Sequence, residues 1–189
     1  MVRLVWVLLL AVTLAACAGG IPGVDGGTNE PVALDVIFVP TDLAVVNAML
    51  ALAGVTRDDI VYDLGCGDGR IVIAAAKELG ARGVGVDLDP ARIREAQANA
   101  ARAGIGDLVT FRVEDLFATD IGSATVIALF LSPELNARLR PKLVSELRPG
   151  TRIVSHRYGI PDWVSERSIT VPVAERRNQV FLWRVPDRP

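Results

Sequence analysis

Beyond residue 40 the chain switches repeatedly between two rhythms of apolar and polar positions. Leu43, Val46, Met49 and Leu50 recur at helical spacing, which predicts an amphipathic helix over 41–53, capped by Thr41. Ile60–Leu64 is a short apolar run and is expected to be a strand. A helical pattern covers 69–79 and stops at Gly80. A second strand is expected at 83–87. Pro90 then opens a helix to Ala103, with Asp89 as its N-cap and Gly104 as its stop. Further strands are predicted at 108–113, 124–130 and 152–156. A long helix between the last two runs from Pro133 to the Pro149-Gly150 pair. Two late runs, 168–173 and 179–185, flank a turn at 174–178 and suggest an antiparallel pair. Strands alternate with helices, and the early strands are almost wholly apolar. The expected fold class is therefore α/β, with a mostly parallel sheet covered on both faces.

The amino terminus follows another pattern. No charged residue occurs between Leu4 and Val24, Arg3 precedes the run, and Leu14-Ala15-Ala16-Cys17 closes it with small residues. This is a leader pattern, and the Cys at its end resembles a bacterial lipoprotein signal. Gly19, Gly20, Pro22 and Gly23 spoil the run as a spanning helix. The expected organisation is a leader or anchor at 1–17, a flexible Gly/Pro-rich tether at 18–35 and one folded domain at 36–189. Membrane association through the N-terminal segment follows from this reading.

The 189 residues include 51% hydrophobic and 22% charged residues, enough apolar material for one globular core. A net charge of -2 offers no general basic surface for a phosphate backbone, so a nucleic-acid partner is not expected. Arg138, Arg140, Lys142 and Arg148 share one predicted helix, and a solvated helix face explains them. Two cysteines and one histidine make neither a disulfide framework nor a usual zinc site, and no metal is expected.

Candidate chemistry begins at Asp63-Leu64-Gly65-Cys66-Gly67-Asp68-Gly69-Arg70. A strand feeds a helix through a loop with little side-chain bulk, which lets a ligand approach the backbone. The dinucleotide fingerprint needs Gly at its sixth position, where Arg70 stands here. Two more acids follow at strand ends, Asp87 after the second strand and Asp115 after the third. An acid at the end of the second strand suits a ribose diol. Ser132 stands after the fourth strand, as a helix cap or facing an acceptor. His156, the only histidine, ends the fifth strand.

The glycine loop with Asp63 ahead of it resembles motif I of the class I S-adenosylmethionine (SAM) methyltransferases. Phe38-Val39-Pro40-Thr41, the loop itself, Phe130-Leu131-Ser132-Pro133, and Gly150-Thr151-Arg152-Ile153-Val154-Ser155 with Trp163 beyond it form an ordered set. Together they resemble the ATP synthase c-subunit lysine methyltransferase family and its bacterial relatives, over roughly residues 36–185. The resemblance implies a seven-stranded, Rossmann-like class I fold with an antiparallel C-terminal hairpin. It implies SAM as donor and a protein lysine, sometimes membrane-embedded, as acceptor. Carried onto this chain, it implies cofactor binding by Thr41, Asp63, Gly65, Cys66, Gly67, Gly69, Asp87, Leu88, Asp115 and Leu116. Ser132 and His156 are the candidate catalytic residues. The Asn/Asp-Pro-Pro-aromatic motif of many nucleic-acid and glutamine methyltransferases is absent after the fourth strand.

Methyl transfer from a sulfonium needs mainly alignment of donor and acceptor. A lysine must first lose its proton, which an apolar channel favours. Three alternatives stand beside this expectation: a small-molecule or RNA methyltransferase, an exported lipid-anchored binding module, and an NAD enzyme that Arg70 argues against. A lipoprotein leader would export the domain, whereas its donor is made in the cytoplasm.

Overall fold

The computed structural model describes residues 39–187, so the leader and tether expected at 1–17 and 18–35 lie outside the described residues. The elements are α1 (Leu43–Leu52), β1 (Ile60–Leu64), α2 (Arg70–Leu79), β2 (Arg82–Asp87), α3 (Pro90–Ala103), β3 (Val109–Val113), β4 (Val126–Leu129), α4 (Pro133–Glu146), β5 (Arg152–His156), β6 (Arg167–Val173) and β7 (Arg176–Arg184). Each was expected from hydrophobic period within a few residues.

Three local details differ. Asp42 caps α1, its carboxylate accepting from the Ala44 amide at 2.8 Å. Thr41, the expected cap, is buried and hydrogen-bonds His156 instead. The fourth helix stops at Glu146, and Leu147 is already extended. Pro149 disfavours helical geometry at Arg148, so the helix ends before the Pro-Gly pair. β7 begins at Arg176, earlier than expected, because the hairpin turns tightly with Ala174 at φ 48°.

The seven strands lie in the order β3-β2-β1-β4-β5-β7-β6. β1 to β5 are parallel to one another, and β7 runs antiparallel to β5 and β6. Chain order reverses between β1 and β4, which opens a crevice at the carboxyl ends of the strands.

The two faces of the sheet are covered unequally. One core cluster joins Val45, Val46 and Met49 of α1, Val72 and Ala75 of α2, and Ile93 and Ala96 of α3 to Val61, Phe111 and Val154 of the sheet. The other joins Leu135, Leu139 and Leu143 of α4 to Leu64, Ile127, Leu129, Ile153 and Trp183. No helix links β3 to β4 or β5 to β6. Loop residues Ile121, Ala124 and Ile160 fill that side instead. Helices therefore cover both faces as expected, three on one side and a single helix with two loops on the other.

Beneath β1 the sheet is tied by a buried ion pair. Asp59 meets Arg152, which also donates to the Ala53 and Gly54 carbonyls at 3.0 Å each. Thr125 Oγ1 donates to Asp59 at 2.7 Å and the Thr56 amide at 2.8 Å. Burial acts to raise the Asp59 pKa, but these hydrogen bonds and the guanidinium outweigh it and hold the carboxyl below the usual range.

Candidate active site

Five parallel strands end along one edge, so their following residues line up in strand order. Asp115 and Leu116 follow β3, Asp87 and Leu88 close β2, and Asp63 and Gly65 lie at the end of β1. Phe130 and Ser132 follow β4, and Arg157 and Tyr158 follow β5. All of these line one cleft of about 310 Å³, together with Thr41, Cys66 and Arg70. Four interstrand steps of about 4.8 Å each make the row roughly 19 Å long. The row is acidic toward β3 and aromatic toward β5.

Asp63 is the most unusual group in the cleft. It is 2% exposed. Burial, then the nearby charges of Asp87 and Asp68, push its pKa up to about 8. No cation described in the structure partners it. A buried carboxylate surrounded only by repulsion is a site for a ligand cation.

Asp87 is held differently. Its Oδ2 accepts from the Gly67 amide and its Oδ1 from the Asp89 amide, both at 2.9 Å. The two amides fix the carboxylate, and each oxygen keeps a lone pair for a ligand hydroxyl. Asp115 is exposed and accepts from the Phe117 amide at 2.8 Å. Its apolar neighbours Leu88, Leu116 and Phe117 line the same end of the cleft.

The three glycines of the loop have separate jobs. Gly65, at φ 87°, lines the cleft, and a β-carbon there would stand 3.1 Å from Leu131 Cδ2. Gly67 and Gly69, also expected to touch the cofactor, do not line the cleft. Gly67 supplies the amide that holds Asp87. Gly69 packs under α3, where a β-carbon would meet Phe111 Cε1 at 2.6 Å and Ala96 Cβ at 2.9 Å. Cys66 lies between the cleft and Gly85. Burial pushes its thiol pKa up, so it serves as a small packed side chain rather than a nucleophile.

Of the two candidate catalytic residues, only Ser132 lines the cleft. Its Oγ also caps α4 by accepting from the Leu135 amide at 3.3 Å. His156 sits behind Phe130, with ring centroids 4.2 Å apart, and bonds Thr41 and Asn178. The structure thus removes His156 from direct contact with the cleft. Trp163 is tied into the second core, its carbonyl accepting from Trp183 Nε1 at 2.8 Å.

Sequence reasoning missed several residues here. Arg70 forms a close pair with Asp68 at 2.5 Å, and its Nη1 donates to the Thr41 carbonyl at 2.6 Å. It thereby fastens the segment before α1 to the glycine loop. Phe130 and Tyr158 form the aromatic end of the cleft, and Asn178 supports His156 from the hairpin. Phe130 was visible as part of a motif, whereas Asn178 carries no sequence signal.

The donor set fits SAM group by group. Asp63 suits the ammonium, Asp87 the ribose diol, and Asp115 with its apolar neighbours the adenine. Among the described residues no cluster of His, Cys, Asp or Glu could hold a metal ion.

Comparison with known proteins agrees. The family model of the ANTKMT methyltransferase domain matches residues 63–167, more than half of the chain. A protein-lysine N-methyltransferase of Saccharolobus islandicus is 45% identical over 147 residues, covering 77% of this chain and 91% of that protein. The ATP synthase c-subunit lysine N-methyltransferase of Xenopus laevis is 35% identical over 68% of this chain. The match spans only 56% of the frog protein. Among solved structures, an RNA methyltransferase from Salinibacter ruber in complex with S-adenosyl-L-homocysteine is 48% identical. It superposes with a TM-score of 0.75, covering 80% of this chain and 96% of that one. The chain therefore belongs to the ANTKMT methyltransferase family and is a SAM-dependent methyltransferase.

Proposed function

We propose that the enzyme methylates the side-chain amine of a lysine in a protein. The observation that carries this reading is the 45% identity to a protein-lysine N-methyltransferase over 91% of that relative's length. The acceptor end of the cleft supports it. Phe130, Leu131, Leu135, Tyr158 and the cation of Arg157 line the cleft together with Ser132. A lysine free in water titrates near 10.4. Apolar walls and a neighbouring cation both favour its neutral, nucleophilic form.

Bound SAM supplies an electrophilic methyl group already joined to a good leaving group. The protein then has to hold and exclude. Asp63 and Asp87 anchor the donor from the middle of the sheet, and Phe130 and Tyr158 keep water from the acceptor end. Ser132 orients the amine through its hydroxyl. No side chain is needed as a strong base.

The Salinibacter ruber relative, named as an RNA methyltransferase, favours a second reading with RNA as acceptor. The charge on α4 weighs against it. Arg140 lies 4.0 Å from Asp162, Lys142 lies 2.8 Å from Glu146, and Arg138 covers the Phe117 ring at 4.3 Å. Such cations are engaged within the protein rather than arrayed for phosphates.

The test is incubation with methyl-labelled SAM, cellular RNA and paired peptides that carry lysine or arginine at one position. Acid hydrolysis of the lysine peptide is expected to yield labelled Nε-methyl-lysine. An unlabelled lysine peptide beside labelled RNA would overturn the proposal.

A further inference from the structure

Behind the cleft wall lies a buried hydrogen-bond chain that the methyl-transfer chemistry does not use. Thr41 Oγ1 is 3.3 Å from His156 Nδ1, and His156 Nε2 is 3.2 Å from Asn178 Oδ1. Asn178 Nδ2 donates to the Val171 carbonyl at 3.3 Å across the β6–β7 pair. Thr41 and His156 are 4% and 5% exposed. The chain joins the segment before α1, the end of β5 and the C-terminal hairpin, three places remote in sequence.

Its polarity can be worked out from the far end. A carbonyl can only accept, so Asn178 must turn its NH2 to Val171 and its oxygen to His156. That oxygen can only accept, so His156 carries its proton on Nε2. A neutral ring protonated there has a lone pair on Nδ1. The hydrogen on Thr41 Oγ1 is then committed to Nδ1. What Thr41 retains toward the cleft it lines is lone pairs alone. Arg70 fixes the backbone of the same residue by donating to its carbonyl.

We propose that His156 is a positioning residue that makes the Thr41 hydroxyl a pure acceptor toward the cleft, and that this acceptor selects a sulfonium donor over the neutral thioether product. The inference rests on the donor site and not on the identity of the methyl acceptor. An oxygen lone pair attracts the polarised hydrogens and charge of a sulfonium, which the thioether lacks. A protonated His156 would donate from both nitrogens. It would then turn the Thr41 hydrogen into the cleft, where a cation is unwelcome. The fold works against that state. Burial is the chief cause that holds the His156 pKa below its ordinary value, and the Arg157 cation acts the same way. The other groups packed on the ring are the uncharged Phe130, Thr41 and Asn178. Beyond Thr41 stands the Arg70–Asp68 pair.

The experiment is calorimetric titration of the full chain with SAM and with S-adenosyl-L-homocysteine, from pH 6 to 9. Both ligands carry the same ammonium, but the Asp63 carboxylate also attracts the sulfonium charge, so each variant's affinity ratio is read against that of wild type at the same pH. Thr41→Val is expected to lower the preference for SAM by about two- to fivefold at every pH. Thr41→Ser should keep it. Asn178→Asp places a carboxylate against Nε2 and raises the His156 pKa by about 1–3 units. Relative to wild type at the same pH, its preference should be lost at pH 6 and return by pH 9. A Thr41→Val ratio equal to that of wild type overturns the proposal. So does an Asn178→Asp ratio that follows that of wild type at every pH, the result expected of a purely structural relay.

Discussion

Gly69 lies against Phe111 so closely that a β-carbon on the glycine would stand 2.6 Å from the ring. A third glycine in such a loop suggests contact with a ligand, but here it permits contact between the start of α2 and β3. Its φ of 78° adds a second cost to any side chain. Gly69→Ala is expected to destabilise the domain by about 2–4 kcal/mol. Urea unfolding of the two proteins without ligand checks this.

Asp63 gives the ligand-free domain an unusual pH dependence. Its pKa in the folded state is about 8, against about 3.9 in an unfolded chain. Between those values the folded state holds the extra proton, so stability falls as pH rises from about 4 to about 8. Asp63→Asn should flatten that fall and should also remove SAM binding. Thermal unfolding at pH 5 and pH 8.5 measures the first effect, and a slope unchanged in the variant would contradict it.

The Asp59 ion pair has the opposite sign. Its carboxyl is held below the ordinary value, so its stabilisation is present above about pH 3.9 and is lost as pH falls through the lowered value. Asp59→Ala leaves the Arg152 cation without its counter-charge and takes from the Thr125 hydroxyl its shortest acceptor. We expect a loss of about 3–5 kcal/mol, typical of breaking a buried pair. Asp59 precedes β1 whereas the cleft lies beyond its other end, so the folded fraction should bind SAM as wild type does. Chemical unfolding and calorimetry on the same sample separate the two effects.

Asp87 combines binding with loop support, since its two oxygens hold the Gly67 and Asp89 amides. Replacing it by Ala removes the acceptor for a ribose diol and frees the glycine loop. SAM affinity should fall about 100-fold or more, because two hydrogen bonds to a charged group are lost. Asp87→Asn, which keeps an acceptor, should lose less.

The parallel sheet was legible because its strands are short apolar runs, most of them separated by helices, two of which stop clearly at Gly80 and Gly104. The strand-end acids were legible for the same reason, as each closes a recognisable strand. The hidden parts depend on long-range contact. Nothing local distinguishes a Thr that caps a helix from one that bonds a histidine 115 positions away. Likewise Asn178, on an otherwise ordinary hairpin strand, supports the cleft wall only because β7 lies next to β5. Gly67 and Gly69 looked like their neighbour Gly65, and only packing shows that one holds a carboxylate and the other makes room for a ring.

The acceptor of the methyl group is expected to be protein rather than RNA. The most direct measurement adds the enzyme and methyl-labelled SAM to a cell extract, then separates protein from RNA and counts both. Label in the protein fraction, recovered as Nε-methyl-lysine and absent with Asp63→Asn, is the expected result. Label confined to the RNA fraction would contradict the claim.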